Sequence, residues 1–173
     1  MSILSVREHL KNFNREQDIL EYEQSSATVE QAAVALKVIP ARIAKTLSFK
    51  DPDGNAFLVV TAGDAKVDNK KFRAQFEIKA KMLNADEVVE QTGHVIGGVC
   101  PFGLTKNLDV FLDISLRRFQ TVFPACGSIN SAIQLTCDEL MEYSGAKSWV
   151  DVSKDWDELL TETSTEEEKT VTN

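Results

Sequence analysis

The sequence predicts an α+β fold: a single domain with a mixed, mostly antiparallel central sheet flanked by helices. Three observations lead to it. Two β-rich runs, 44–50 and 56–62, are joined by Asp51-Pro52-Asp53-Gly54-Asn55, whose Pro and Gly suit a tight reversal. Around that hairpin, amphipathic helical segments and short strands are interspersed, with no internal repeat. The chain's 173 residues, 43% of them apolar, are enough for one core without staples.

The elements follow in order. Ser5 with Glu8 reads as a capping box, and Val6, Leu10 and Phe13 recur at helical spacing, giving a first helix that ends near Asn14. A short strand is expected over 18–22. Thr28 with Gln31 opens a second helix, 28–37, that gathers Val29, Ala32, Ala33 and Leu36 on one side. After the hairpin, 67–76 reads as a helix, 81–83 as a short strand, and 85–92 as a helix stopped by Gly93. Residues 93–107 hold four glycines and a proline, too much backbone freedom for a regular element. Strands are expected over 110–113, 121–124 and 131–136. Thr136 with Glu139 caps a helix to Tyr143, ended by Gly145, and 149–152 closes the fold. The domain is therefore placed at 1–156. Residues 157–173, rich in Glu, Thr and Ser, are expected to be a loose acidic tail with too little apolar surface to offset ordering.

The net charge of −8 argues against a nucleic-acid partner until its distribution is seen. From 155 to the end there are seven acids against Lys169, so residues 1–154 carry only −2. Within that body Lys66, Lys70, Lys71, Arg73, Lys79 and Lys81 cluster against Asp68 and Glu77, a local positive surface that suits phosphate contacts and equally suits a solvated helix face. Three cysteines without CxxC spacing suit a reduced, cytoplasmic setting. No apolar run is long enough to span a membrane. With two histidines and no close ligand cluster, neither a metal site nor a cofactor is expected.

Two features carry chemistry. Lys45 shares by period two the apolar face of Ile43, Leu47 and Phe49, a costly position for a lysine unless it is paired, lies at a cleft or snorkels from the sheet edge. Partial desolvation there would depress its pKa. The loop Gly97–Gly103 has glycines that let backbone N–H groups converge on an oxyanion or phosphate, though an ordinary turn fits it too, and it lacks the spacing of a dinucleotide or triphosphate loop. Cys100 and His94 invite a thiol-hydrolase reading that lacks an orienting third group. Cys126 and Cys137 read as small buried hydrophobes. Asp113 is expected to cap the following Ile114–Phe119 segment rather than to meet Lys45, and Trp149 and Trp156 are expected to pack.

Taken together, Lys45-Thr46-Leu47 on the first hairpin strand, Gly97 to Leu104 about fifty residues on, then 110–113 and 124–128, resemble in order and spacing the YbaK/prolyl-tRNA-synthetase-associated domain family from about Asp18 to Val152. The resemblance implies that fold, and it implies a deacylase that hydrolyses the ester of mischarged aminoacyl-tRNA, serving translation fidelity. It implies Lys45 as the catalytic residue and a GxxxP loop, here Gly97, Gly98, Val99, Cys100 and Pro101, that grips the terminal adenosine and ester. Phe102 and Gly103 continue that substrate-binding set, and Gly127 and Ser128 match a second glycine-containing turn lining the same pocket. Backbone N–H groups near Gly98 and Cys100 are expected to face the oxyanion. A small acyl group (Cys, Ala or Ser) on tRNA(Pro) is the implied substrate, with Lys66, Lys70, Lys71 and Arg73 or a partner synthetase contacting the tRNA. The alternative is a non-catalytic module that binds an aminoacyl or nucleotide ligand on the same fold.

Overall fold

The hairpin is the spine of the structure, a computed structural model that describes residues 2–162. In chain order the elements are α1 (Ser2–Lys11), β1 (Leu20–Glu21), α2 (Val29–Leu36), β2 (Ile43–Lys50), β3 (Ala56–Ala62), β4 (Lys66–Val67), α3 (Asn69–Phe76) and α4 (Ala85–Thr92). Then come β5 (Asp109–Asp113), β6 (Thr121–Pro124), β7 (Ser131–Ala132), β8 (Leu135–Thr136), α5 (Cys137–Ser144), β9 (Ser148–Val150) and β10 (Ser153–Lys154). One six-stranded sheet runs β8-β6-β2-β3-β5-β9, and β1-β7 and β4-β10 form small two-stranded sheets. Four of these seven pairings are antiparallel, and the three parallel ones, β2-β6, β3-β5 and β5-β9, all lie in the central sheet. Parallel neighbours need crossover connections, and α3 and α4 supply the one between β3 and β5.

Period-two alternation gives the sheet two apolar faces. Leu58, Val60, Val110 and Leu112 pack with Val6 and Leu10 of α1, Phe102, Ile133 and Leu140 in the larger core. On the other face Phe49, Phe57 and Phe72 meet with Phe76 and Phe111, and the Phe49 and Phe72 rings lie 4.7 Å apart. Phe72 is thus the anchor that holds α3, the basic helix, on the sheet.

Helix starts follow the side-chain chemistry. The capping boxes at Thr28/Gln31 and Thr136/Glu139 form as expected, and a further one forms at Asn84/Glu87. Ser5 with Glu8 is not a start: α1 begins at Ser2, and the Ser5 hydroxyl donates to the Ser2 carbonyl from inside the helix. Residues 131–136 form two short strands, because β7 turns to β1 while β8 continues beside β6. The Ile114–Arg118 segment is a 3-10 turn, capped by Asp113 through the Ser115 N–H at 3.0 Å. Asp113 is fully buried and accepts further bonds from Val152 N–H and the Ser153 hydroxyl, and it does not meet Lys45.

The expected loose tail begins too early. Residues 157–162 pack on the domain: Leu160 is buried in the larger core, the Asp157 carbonyl accepts from Arg118, and Glu162 accepts from the Thr121 N–H at 2.8 Å. Residues 163–173 lie outside the described ones. Removing the Phe72 ring leaves a cavity in a dry aromatic cluster, so Phe72→Ala should lower unfolding free energy by about 3–5 kcal/mol in urea titration, with little change in slope.

Candidate functional site

Lys45 sits where the sheet opens. Beside β2, β6 pairs with Ile43 and Ala44, and the backbone of the Lys81–Leu83 segment bonds to Ser48 and Lys50 and bridges Phe49. Between those contacts residues 45–47 have no registered strand partner on that edge among the described residues. The Ser48 carbonyl and Lys50 N–H both point to this edge, so by alternation the N–H and carbonyl of Thr46 point there as well. A pocket of about 260 Å³ occupies the gap, and it touches residues from both faces of β2, Lys45 as well as Ala44, Thr46 and Ser48. Its other walls come from Thr28, which caps α2, from Val29 and Ala32 of α2, from Phe123 and Ala125, from Ser131 and Ala132, and from Ile96 with Gly97 and Val99 of the glycine loop.

The amine of Lys45 donates to two backbone carbonyls, Ala65 at 2.5 Å and Gly63 at 3.4 Å. Burial pushes its pKa below the ordinary lysine value; Asp64 and Glu30 oppose that shift and Lys66 adds to it. The carbonyl cradle is fixed by close packing: a Cβ on Gly63 would lie 2.1 Å from the Pro40 carbonyl oxygen and 2.7 Å from Val29. Lys45 is therefore a partly desolvated donor held in one direction at the pocket wall.

The glycine loop divides between pocket and core. Gly97 and Val99 line the pocket, with Gly97 at a φ of 93° and close against Ala27 and Ile129. Gly98 does not line it. Its N–H is spent on the Val95 carbonyl at 2.9 Å, its own carbonyl accepts from Gly127 N–H at 3.0 Å, and a Cβ would strike the Gly127–Ser128 backbone at 2.8 Å. The expected oxyanion donor at Gly98 is thus corrected: that glycine exists for close backbone packing. Cys100 and Phe102 are fully buried in the larger core, and Pro101 is buried outside the pocket lining. Gly103 packs against the Ser5–Val6 backbone and donates to His9 Nδ1 at 3.1 Å. Because His9 Nδ1 accepts there, its Nε2 carries the proton and donates to the Tyr143 carbonyl at 2.6 Å.

Gly127, at a φ of 92°, packs against Ser2 rather than the pocket. Ser128 lies one bond behind it, its hydroxyl 2.6 Å from that of the pocket residue Ser131. Lys66, Lys70, Lys71 and Arg73 are exposed on β4 and α3, outside the pocket, and Lys71 is engaged by Asp151 and the Ser153 carbonyl, each at 3.1 Å. Trp156 packs as expected, its ring 4.8 Å from the Arg118 guanidinium, and Trp149 stacks with Arg117.

Thr46 is the pocket residue that the sequence reading passed over. Its hydroxyl is buried without a hydrogen-bond partner among the described residues. A signal was present: Ala44, Thr46 and Ser48 are all small on one face of a strand whose other face carries Ile43, Leu47 and Phe49, and small residues on a core-facing side leave a hollow. The pocket also has an exposed apolar rim, Met82 and Ile96.

Cys100 and His94 do approach, Sγ to Nε2 at 3.6 Å, but both are fully buried and neither lines the pocket. His94 Nε2 faces the Phe102 carbonyl at 2.7 Å, and burial drives the Cys100 thiol up to about 12. That is the opposite of an activated nucleophile.

A sheet opened beside a desolvated lysine, with a glycine loop across the gap, makes this an α+β domain with a pocket of about 260 Å³ at that opening. The family follows from comparison: residues 23–143 match the model of the aminoacyl-tRNA editing domain, and the chain belongs to that family. It is 60% identical over 157 residues to "Uncharacterized protein YwhH" of Bacillus subtilis, which covers 91% of this chain and all of that one. It is 24% identical to the "Putative Cys-tRNA(Pro)/Cys-tRNA(Cys) deacylase EbsC" of Enterococcus faecalis, across 73% of this chain and 77% of that one. A crystal structure described as "a putative trans-editing enzyme for prolyl tRNA synthetase" superposes with a TM-score of 0.80 at 28% identity, covering 88% of this chain and 97% of that one. No helix among the described residues is long and apolar enough to cross a membrane.

The burial of Cys100 has a direct consequence. In the folded protein a thiol reagent should leave Cys100 unmodified at pH 8 while labelling it fully in denaturant, as read by mass spectrometry of the peptides. Rapid native labelling would show that the loop opens.

Proposed function

We propose that the chain hydrolyses the ester bond of mischarged aminoacyl-tRNA, acting on a small acyl group such as Cys, Ala or Ser, with tRNA(Pro) as the favoured carrier. The observation that carries this reading is the shared pocket: Lys45 on β2 and Gly97 and Val99 of the glycine loop border one small cavity. A second site of this kind suits editing, because a synthetic site that accepts a larger amino acid cannot fully reject a smaller one.

An ester needs no metal to be hydrolysed, so water is the nucleophile in this account and the protein supplies position and charge. Lys45 acts as a donor: as an ammonium it has three N–H groups, two occupied by Gly63 and Ala65 carbonyls and one left for the substrate's phosphate or ester oxygen. With the Gly98 N–H occupied, the outward-facing Thr46 N–H on the open edge of β2 takes the oxyanion role. The Thr46 hydroxyl, which has no partner among the described residues, meets a polar atom of the aminoacyl group. Ala44, Ala125 and Ala132 keep the wall shallow and apolar around a short side chain. The exposed Lys66, Lys70 and Arg73 provide a surface for tRNA phosphates beside the pocket, and a partner synthetase is the natural supplier of the charged tRNA.

Deacylation of a panel of mischarged tRNAs tests this. Wild type should release the small acyl groups, and Lys45→Ala should lose about 100-fold or more of that rate. Since the donor role needs the ammonium, the enzyme-dependent rate should fall as pH rises through the lowered Lys45 pKa. A rate that instead rises through that pKa would make the amine a base, and tight binding with no release from any tRNA would make the domain a sensor.

A further inference from the structure

The pocket is lined by Lys45, but the group that aims Lys45 lies behind it. Its two carbonyl partners, Gly63 and Ala65, flank Asp64, whose carboxylate is gripped by both terminal nitrogens of Arg118 at 3.0 and 2.6 Å. Both side chains are nearly fully buried, Asp64 at 6% exposure and Arg118 at 4%. Ala65 N–H closes the turn onto the Ala62 carbonyl at 3.0 Å, and Ala62 N–H is bound by the Ser115 hydroxyl at 3.0 Å. Arg118 in turn is fixed by the Ser115 carbonyl at 2.8 Å and the Asp157 carbonyl at 3.0 Å, with its guanidinium 4.8 Å from both the Phe119 and Trp156 rings.

A buried ion pair is weak evidence for stability, because an apolar pair of similar volume commonly serves the fold as well. What such a pair does supply is direction: a bidentate fork holds a turn in one orientation. Here the turn it holds consists of the two carbonyls that receive the Lys45 amine. The last supports of the fork, Trp156 and Asp157, lie beyond the 23–143 span that matches the family model. Leu160, buried in the core, anchors this strap from the far side.

We infer that the buried Asp64–Arg118 pair is a positioning device for the Lys45 amine, and that the C-terminal strap from Trp156 to Leu160 holds the device in place. The importance of that amine rests on the function proposed above; the positioning itself does not. The charged groups acting on the amine are Asp64 on the turn, Glu30 on α2 and Lys66 on β4, with Arg118 acting through Asp64. Asp64 favours the ammonium, so its neutralisation moves the Lys45 titration to lower pH.

NMR of isotope-labelled lysine side chains reads this without any assay of turnover. The Lys45 signal is assigned by its loss in Lys45→Arg, and the distant, exposed Lys147 serves as control. In Asp64→Asn, in the paired Asp64→Asn/Arg118→Gln variant that keeps a neutral hydrogen-bonded fork, and in Trp156→Ala, the Lys45 side-chain signals should shift while those of Lys147 stay. The Lys45 midpoint should fall in the two Asp64 variants. Deacylation by the same proteins should lose about 10–100-fold in kcat with KM little changed, as expected when an acting group is misaligned. Should Asp64→Asn fail to fold, the paired variant and Trp156→Ala carry the test. Lys45 signals and midpoint unmoved in the folded variants would overturn the inference. Moved signals in the variants together with a wild-type protein that deacylates no tRNA would uphold the positioning and remove the functional reading.

Discussion

The arrangement of the site depends on one constraint, the Lys45 amine donating to the carbonyls of Ala65 and Gly63. Lysine is a flexible residue with a strongly hydrated head, and a pocket wall is a poor place for it unless its hydrogen bonds are provided. Two fixed carbonyls provide them, and the cost of partial desolvation appears as a depressed pKa. The balance leaves an amine held by two carbonyls, on a residue that lines the cavity. The turn carrying those carbonyls is possible only because residue 63 has no Cβ to strike Pro40 and Val29.

The second constraint is the incomplete sheet. A strand in the middle of a sheet normally has both edges occupied, and β2 does so at its two ends but not at Lys45 to Leu47. The interruption leaves both the cavity and an open backbone edge beside it, so main-chain groups as well as side chains are available there. The Asp64–Arg118 pair and the strap beyond it tie this locally opened region to the far end of the chain, which gives residues outside the family-matching span a stake in the site.

Much of the fold was legible because its signals are local. The Pro-Gly reversal after β2, the Thr28/Gln31 and Thr136/Glu139 boxes and the Gly93 stop each act within a few residues, and each appears where expected. Ser5/Glu8 misled because the same pair of residue types also sits comfortably inside a helix. The strap at 157–162 was missed because composition averages over a window, and one well-placed Leu160 beside Trp156 outweighs its acidic neighbours. At the site, alternation placed Lys45 on the apolar face and left its role open, and only the family resemblance drew it together with the glycine loop. The roles of the individual glycines were not, since a glycine needed for backbone approach to a ligand and one needed for backbone approach to another chain segment look alike in sequence. Only coordinates separate Gly97, which meets the cavity, from Gly98 and Gly103, which meet Gly127 and Ser5.

The central claim is that the gap beside β2 receives an acylated ribose, with Lys45 and Thr46 facing it from the strand and Val99 from the loop. Titrating the protein with a non-hydrolysable amide analogue of aminoacyl-adenosine, followed by backbone and lysine side-chain NMR, tests it most directly. The account predicts saturable shifts centred on the Lys45 side chain and the amides of Thr46, Gly97 and Val99. Saturable shifts centred instead on the aromatic face around Phe57, Phe76 and Phe111, with residues 45–46 and 97–99 unmoved, would contradict it.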